Sequence, residues 1–304
     1  MLDKLKNTIQ QTFVYSLSNI ALKVSGVILL PIYLRYFTIT QFGVWDLLDT
    51  SIQILAEILI LGQASALIFI NNSDEYKKEK SSALFTIIIF LVSIILLIIS
   101  LSEIINYIFP NLFNGELINF DYLRISSYII LLRVISNLFF SKLRAEEEAK
   151  NYTLINILRI ISIISLTFYF VAIKRNGIYG ALTSFLISEI IIVFLLTIKT
   201  FSQIQFKFNY HILKVALLFG LPLVLSSVGF MLLNLSDRYI IKWLLGAKYV
   251  AIYGLGYRIA GVLNMFLILP FNLGLLPIAY KYFGKENDKR FYSKLMTYST
   301  YFFV

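Results

Sequence analysis

Long apolar runs recur from one end of this chain to the other. A helix that crosses a bilayer needs about 20 mostly apolar residues. Eight stretches meet that requirement: Thr12–Leu34, Phe42–Ile70, Ser82–Phe109, Tyr122–Phe140, Tyr152–Ile173, Ile178–Ile198, Ile212–Ile241 and Val250–Tyr280. A ninth begins near Tyr292, and the chain stops at Val304, before it could cross. That predicts a fragment of a longer protein. Isolated strands cannot satisfy their backbone in lipid, and none of the runs alternates like a barrel wall. The expected fold is an all-α polytopic membrane bundle. The first run is too long for a signal peptide, contains Lys23 and is followed by no small-residue cleavage site.

Composition points the same way. Of 304 residues, 59% are hydrophobic and 14% charged, where soluble domains have about 45–50% and about 25%. Such a chain cannot close a water-facing surface. Soluble enzymes, nucleic-acid-binding modules and disordered proteins are excluded. The absence of cysteine excludes disulfides and thiolate metal sites, and a single histidine, His211, excludes a multi-histidine zinc or haem site. No cofactor is expected.

The net charge of +10 is explained by orientation. With the N-terminus inside, the inner segments carry 16 lysines and arginines, the outer ends 6, and the spans 5. The positive-inside rule then predicts a cytoplasmic N-terminus in the cytoplasmic membrane, without nucleic acid as a partner. The cluster Glu146-Glu147-Glu148, flanked by Arg144 and Lys150, reads as a solvated inner loop.

The polar break Thr200–Tyr210 divides the chain into residues 1–200, six spans, and residues 201–304, the start of a second set. At an offset of 208, Phe42-Gly43-Val44-Trp45 lies over Val250-Ala251-Ile252-Tyr253, each stretch joining a first span to a second. Transporters are often built from such repeats, with the substrate site between them.

Charges within spans cost about 2.5–3.5 kcal/mol each at mid-membrane, so they face cavities or partners. The first span carries Thr12, Ser16, Asn19, Lys23 and Gly26 on one face. Lys23 either lines a cavity or is neutralised by a neighbouring carboxylate. The second span has Asp46, Asp49, Gln53 and Glu57. Asp46 and Asp49 are near enough to the outer end to be solvated. Glu57 is deep, either a partner for Lys23 or a proton-titrating group. The fourth span aligns Ser126, Arg133, Asn137 and Ser141. The fifth offers Asn156 and Arg159, the latter facing the cavity or snorkelling to the interface. Glu189 in the sixth span is a candidate partner for Arg133 or Arg159. In the seventh span Asp237 and Arg238 point about 100° apart, and in the eighth Arg258 either pairs with Asp237 or contacts substrate.

Cations thus occur in both halves: Lys23, Arg133, Arg159, Arg238 and Arg258, with Asn19 beside Lys23. A cationic cavity suits an anionic substrate, because guanidinium grips phosphate oxygens in a fork. Asp46, Asp49, Glu57, Glu189 and Asp237 would serve as counter-charges or carry coupling ions. No phosphate-binding glycine loop is present.

Residues 219–263, FGLPLVLSSVGFMLLNLSDRYIIKWLLGAKYVAIYGLGYRIAGVL, resemble the start of the second half of the polysaccharide-biosynthesis transporters. The likeness rests on Pro222, the string from Asp237 to Ile241, and the Leu245-Gly246-Ala247 link. LPIYLRYFTITQFGVWDL, from Leu30, resembles the first half more loosely. These O-antigen and oligosaccharide flippases share a superfamily with the multidrug and toxic-compound extrusion (MATE) transporters. The resemblance implies a V-shaped MATE-like protein with two six-helix lobes, the second truncated here, and a cationic cavity. It implies flipping of a polyprenyl-diphosphate-linked oligosaccharide by alternating access. The implied partners are that substrate, the bilayer and glycan-assembly proteins. The competing functions are an ion-coupled multidrug antiporter, using Glu57, Asp49 or Glu189, and a glycan-assembly enzyme. The enzyme would need a large outer loop, and the longest outer break, about Pro110–Asp121, is too short to build one.

Overall fold

The structure, a computed structural model, describes residues 25–76, 79–109, 119–264 and 288–303. Among these residues there are helices and no strands. They are α1 (Ser25–Tyr36), α2 (Ile39–Leu59), α3 (Gln63–Asn72), α4 (Lys80–Ile108), α5 (Phe120–Ala145), α6 (Ala149–Thr167), α7 (Gly177–Thr200), α8 (Tyr210–Leu235), α9 (Asp237–Leu245), α10 (Ala247–Leu263) and α11 (Asp288–Phe303). A π-helical segment, Phe168–Ile173, prolongs α6. The chain divides into two units, Met1–Gly256 and Tyr257–Val304. The second unit contains the end of α10 and α11.

Five helical stretches are long and apolar enough to cross a membrane: α4, α5, α6 with its π extension, α7, and α8 continued by α9. They answer to the predicted third to seventh spans. The predicted second span is broken. Helices α2 and α3 meet at 43°, and the pair makes a sixth crossing if counted as one. Residues 12–24 of the first predicted span and 265–280 of the eighth lie outside the described residues.

The break has a local cause. Leu61 and Gly62 adopt positive φ of 52° and 68°, a conformation that is costly for any residue but glycine. Backbone groups freed inside a membrane need partners within the protein. Gln63 supplies one, its Nε2 donating to the Leu61 carbonyl at 3.0 Å and to the Ala216 carbonyl of α8 at 3.2 Å. Gly220 of α8 fits against the bend so closely that a Cβ on Gly62 would overlap the Gly220 carbonyl. Bend and α8 therefore require each other.

Elsewhere the helices begin on side-chain caps. Thr38 and Gln41 form a reciprocal capping box at the start of α2. Asn119 caps α5 and Asn209 caps α8. Helix α5 is the centre of the first unit, packing against α2, α3, α4, α6 and α7. Trp45 of α2 is 1% exposed and lies between Tyr33 and Phe185, with ring centroids 5.4 and 5.2 Å away.

One end of the first unit is basic, gathering the C-termini of α5 and α7 and the N-termini of α4, α6 and α8. The connection from α7 to α8 is held there. Gln203 accepts from Lys142 Nζ at 2.7 Å, Gln205 N donates to the Ser81 carbonyl at 2.9 Å, and Asn209 N donates to Thr86 Oγ1 at 3.0 Å.

At the opposite end α10 packs on α2. A Cβ on Gly43 would overlap the Ala247 carbonyl and lie 3.3 Å from Ala251 N. Helix α2 begins at Ile39 and α10 at Ala247, the same offset of 208 that aligns the two stretches in sequence. Gly43 and Ala251, equated by that offset, lie against each other. Small residues let backbones approach where the hydrophobic effect offers no drive between lipid-immersed helices. Gly43→Val is expected to destabilise the protein by about 1–3 kcal/mol through overpacking, seen as a lower thermal midpoint in detergent. Gly256→Ala, whose Cβ meets open space, serves as the neutral control.

Candidate substrate cavity

Five helices leave a polar cavity of about 390 Å³ in the first unit. Helices α2 and α3 contribute Glu57 and Ser65 on either side of the bend, α5 contributes Asn137, Ser141 and Arg144, α6 contributes Tyr152, Asn156 and Arg159, and α8 contributes Ser227. The α5 residues recur at three and four and share a face. The α6 residues do the same.

Behind Arg159 stands a buried charge cluster. Glu189 of α7 is 2% exposed and takes two guanidinium groups, Arg159 Nη2 at 2.5 Å and Arg133 Nε at 3.5 Å. Ser136 Oγ accepts from Arg159 at 2.8 Å and lies 3.2 Å from Glu189 Oε2. The guanidinium of Arg159 also sits 5.3 Å over the Phe140 ring, a cation–π contact. One carboxylate against two cations leaves the cluster one positive charge in excess. Arg159, the more tightly paired of the two, lines the cavity, and Arg133 does not. Arg159 Nε and Asn156 Nδ2 are shielded from solvent and have no hydrogen-bond partner among the described residues. Unsatisfied buried donors cost about 1–3 kcal/mol each, and both lie one turn apart on α6. Arg144, at the mouth, donates to Ser141 Oγ at 2.8 Å and is otherwise exposed.

A second polar constellation joins α2 to α9. Arg238 Nε lies 2.8 Å from Asp46 Oδ2, both side chains buried. Tyr253 donates to Asp237, and Ser51 and Tyr239 hydroxyls lie 2.8 Å apart. Gly254 passes beside the pair, so that a Cβ there would come within 2.6 Å of Asp46 Oδ2.

The predicted residues therefore divide. Arg159 and Glu57 line the cavity, and Arg133 and Glu189 stand in the cluster behind it. Arg238 is turned away, onto Asp46. Asp46, read in sequence as near enough to water to be solvated, is 1% exposed. Arg238, 192 positions away, helps to make that burial tolerable. Asp49 is half-buried, Asp237 accepts from Tyr253, and Arg258 belongs to the second unit. Asn19, Lys23 and the proposed Lys23–Glu57 pairing lie outside the described residues. Glu57 forms no ion pair among the described residues.

Arg144 was counted as a loop charge in sequence. The signal for it was present, since it follows Ser141 by three on the face of Arg133, Asn137 and Ser141. It was hidden because α5 runs on to Ala145, about a turn past the apolar segment.

These features define an all-helical, multi-pass membrane protein of the MATE-like fold. A MOP superfamily transporter from Pyrococcus furiosus, described as having a binding pocket of reverse polarity, is 22% identical, with a TM-score of 0.57 over 84% of this chain and 58% of its own. A MATE protein in complex with Br-NRF is 19% identical, with a TM-score of 0.65 over 86% of this chain and 64% of its own. A multidrug resistance MATE family transporter in an outward-facing conformation is 22% identical, with a TM-score of 0.54 over 84% and 58%. The chain thus spans about three fifths of the length of these proteins. No curated protein matches it. Residues 8–283 match the family of polysaccharide biosynthesis proteins, and the chain belongs to that family.

Glu189→Gln is expected to cost about 3–5 kcal/mol, because it strands the buried Arg159 guanidinium and removes the partner of the half-buried Arg133. Ser136→Ala, which removes a neutral hydroxyl, is expected to cost about 1 kcal/mol. Thermal unfolding of both variants in the same detergent checks the order.

Proposed function

We propose that this protein moves a polyprenyl-diphosphate-linked oligosaccharide from the inner to the outer leaflet of the cytoplasmic membrane, for surface polysaccharide synthesis. The observation that carries this reading is the cavity wall of Arg144 and Arg159, with the exposed guanidinium of Arg144 at its mouth. A diphosphate supplies acceptors and counter-charge for that guanidinium. The neighbouring asparagines, serines and Tyr152 suit sugar hydroxyls. No bond is made or broken, so binding and release provide the whole mechanism. The basic end, which carries Arg144, faces the cytoplasm under the positive-inside rule, and the cavity takes substrate from the inner leaflet. Residues 1–200 form the first lobe and residues 201–304 begin the second, whose rocking against the first gives alternating access. Proteins of glycan assembly are its partners in the membrane.

A second reading, ion-coupled efflux of organic cations, is favoured by Glu57, a carboxylate in the cavity wall with no ion pair among the described residues. The two readings predict opposite dependences. In proteoliposomes holding the full-length protein, Arg144→Ala is expected to slow translocation of a fluorescent lipid-linked oligosaccharide about tenfold or more, the worth of a charged hydrogen bond, while the protein stays folded. Wild-type translocation in Arg144→Ala, together with proton-driven export of organic cations lost in Glu57→Gln, would replace the first reading with the second.

A further inference from the structure

The polar cavity has an apolar continuation. A second cavity of about 310 Å³ is lined by Glu57, Ser227, Phe230, Met231, Asn234 and Leu235. It shares Glu57 and Ser227 with the polar one. On α8 the lining residues recur at three and four, so one face of a single helix runs through both chambers. Its character changes at Ser227, with polar groups and guanidinium on one side of that level and Phe230, Met231 and Leu235, with Asn234 among them, on the other.

The apolar chamber has a definite direction and length. Helices α2 and α8 pack on each other and run antiparallel. From Glu57 to Asp46 and from Ser227 to Arg238 the interval is 11 residues in each case, about 16 Å at a rise of 1.5 Å per residue. Glu57 and Ser227 thus mark one level, and further along the Arg238–Asp46 pair ties α2 to α9, which continues α8. The groove runs along α8 from Ser227 to Leu235, in the direction of that pair, and begins where the Arg144–Arg159 wall ends. A ligand matching this order is charged at one end and apolar for many ångströms directly behind the charge. An oligosaccharide alone, or a compact organic cation, matches only one chamber.

Resting on the diphosphate reading above, we infer that the groove beside Phe230, Met231 and Leu235 is a binding site for the first part of the isoprenoid tail of the same molecule whose diphosphate occupies the polar cavity. The tail is then gripped by the protein near its phosphate end, and only its remainder stays in the bilayer. Glu57 and Ser227 stand at the junction, so the diphosphate lies on the Arg144–Arg159 side of them. Such a site selects for an isoprenoid attached to a diphosphate and against either part alone, because the two chambers are filled together only by the joined molecule.

The test compares three probes on the full-length protein in nanodiscs: farnesyl diphosphate, inorganic pyrophosphate and farnesol. Farnesyl diphosphate is expected to bind at least tenfold more tightly than either fragment. Met231→Trp and Leu235→Trp, which fill the groove, are each expected to erase its advantage over pyrophosphate while pyrophosphate binding stays at the wild-type level. Three results overturn the inference: farnesyl diphosphate binding no more tightly than pyrophosphate, farnesol binding as tightly as farnesyl diphosphate, or the advantage surviving in both tryptophan variants, which would assign it to the bilayer. In each of those cases pyrophosphate binding that is lost in Arg144→Ala would leave the diphosphate reading standing. Absence of binding by both diphosphates would remove that reading and this one with it.

Discussion

A carboxylate buried among helices holds the first unit together and sets the sign of its cavity. Glu189 gathers Arg133 of α5 and Arg159 of α6 onto α7. Each of those groups alone would be prohibitively desolvated in a membrane. Together they are tolerable, and they leave one positive charge uncancelled. Arg159 is thereby held in place from behind in the cavity wall. A flexible cation would pay conformational entropy to meet an anion. This one is already positioned.

The second constraint is the backbone. A membrane-embedded helix breaks only where other groups take up the freed polar atoms. The α2–α3 bend meets that condition through Gln63 and the close fit of Gly220. The bend opens a cavity between helices that would otherwise pack side by side, and it places Glu57 and Ser65 in the wall. Near the other end of α2, glycines at 43 and 254 bring α10 within backbone distance, and the Arg238–Asp46 pair adds a charged tie. Helix α2 is therefore the element that both halves of the sequence share.

The helical fold was legible in the chain because lipid imposes a length and a polarity that no soluble helix must satisfy. The third to seventh spans follow directly from that rule. The likeness of two stretches at an offset of 208 was legible as a pattern in the sequence too. The bend at Leu61–Gly62 was not. A glycine in an apolar run is common in membrane helices, and nothing local marks this one as a break. The residue packed against it, Gly220, lies far along the chain. The partner of Asp46 was hidden for the same reason, because proximity to an outer end in sequence says nothing about which helix covers it.

The sequence by itself determined that this protein lies in a membrane, that it is helical, and that cations stand where lipid should be. Hydropathy, periodicity and the expense of buried charge are properties of single segments, readable without neighbours. Only the tertiary structure decided which of those cations are spent on internal carboxylates and which face an open chamber. That choice depends on distances between segments. It turns Arg238 onto Asp46 and Arg159 onto Glu189, and it recruits Arg144 from what had read as a loop.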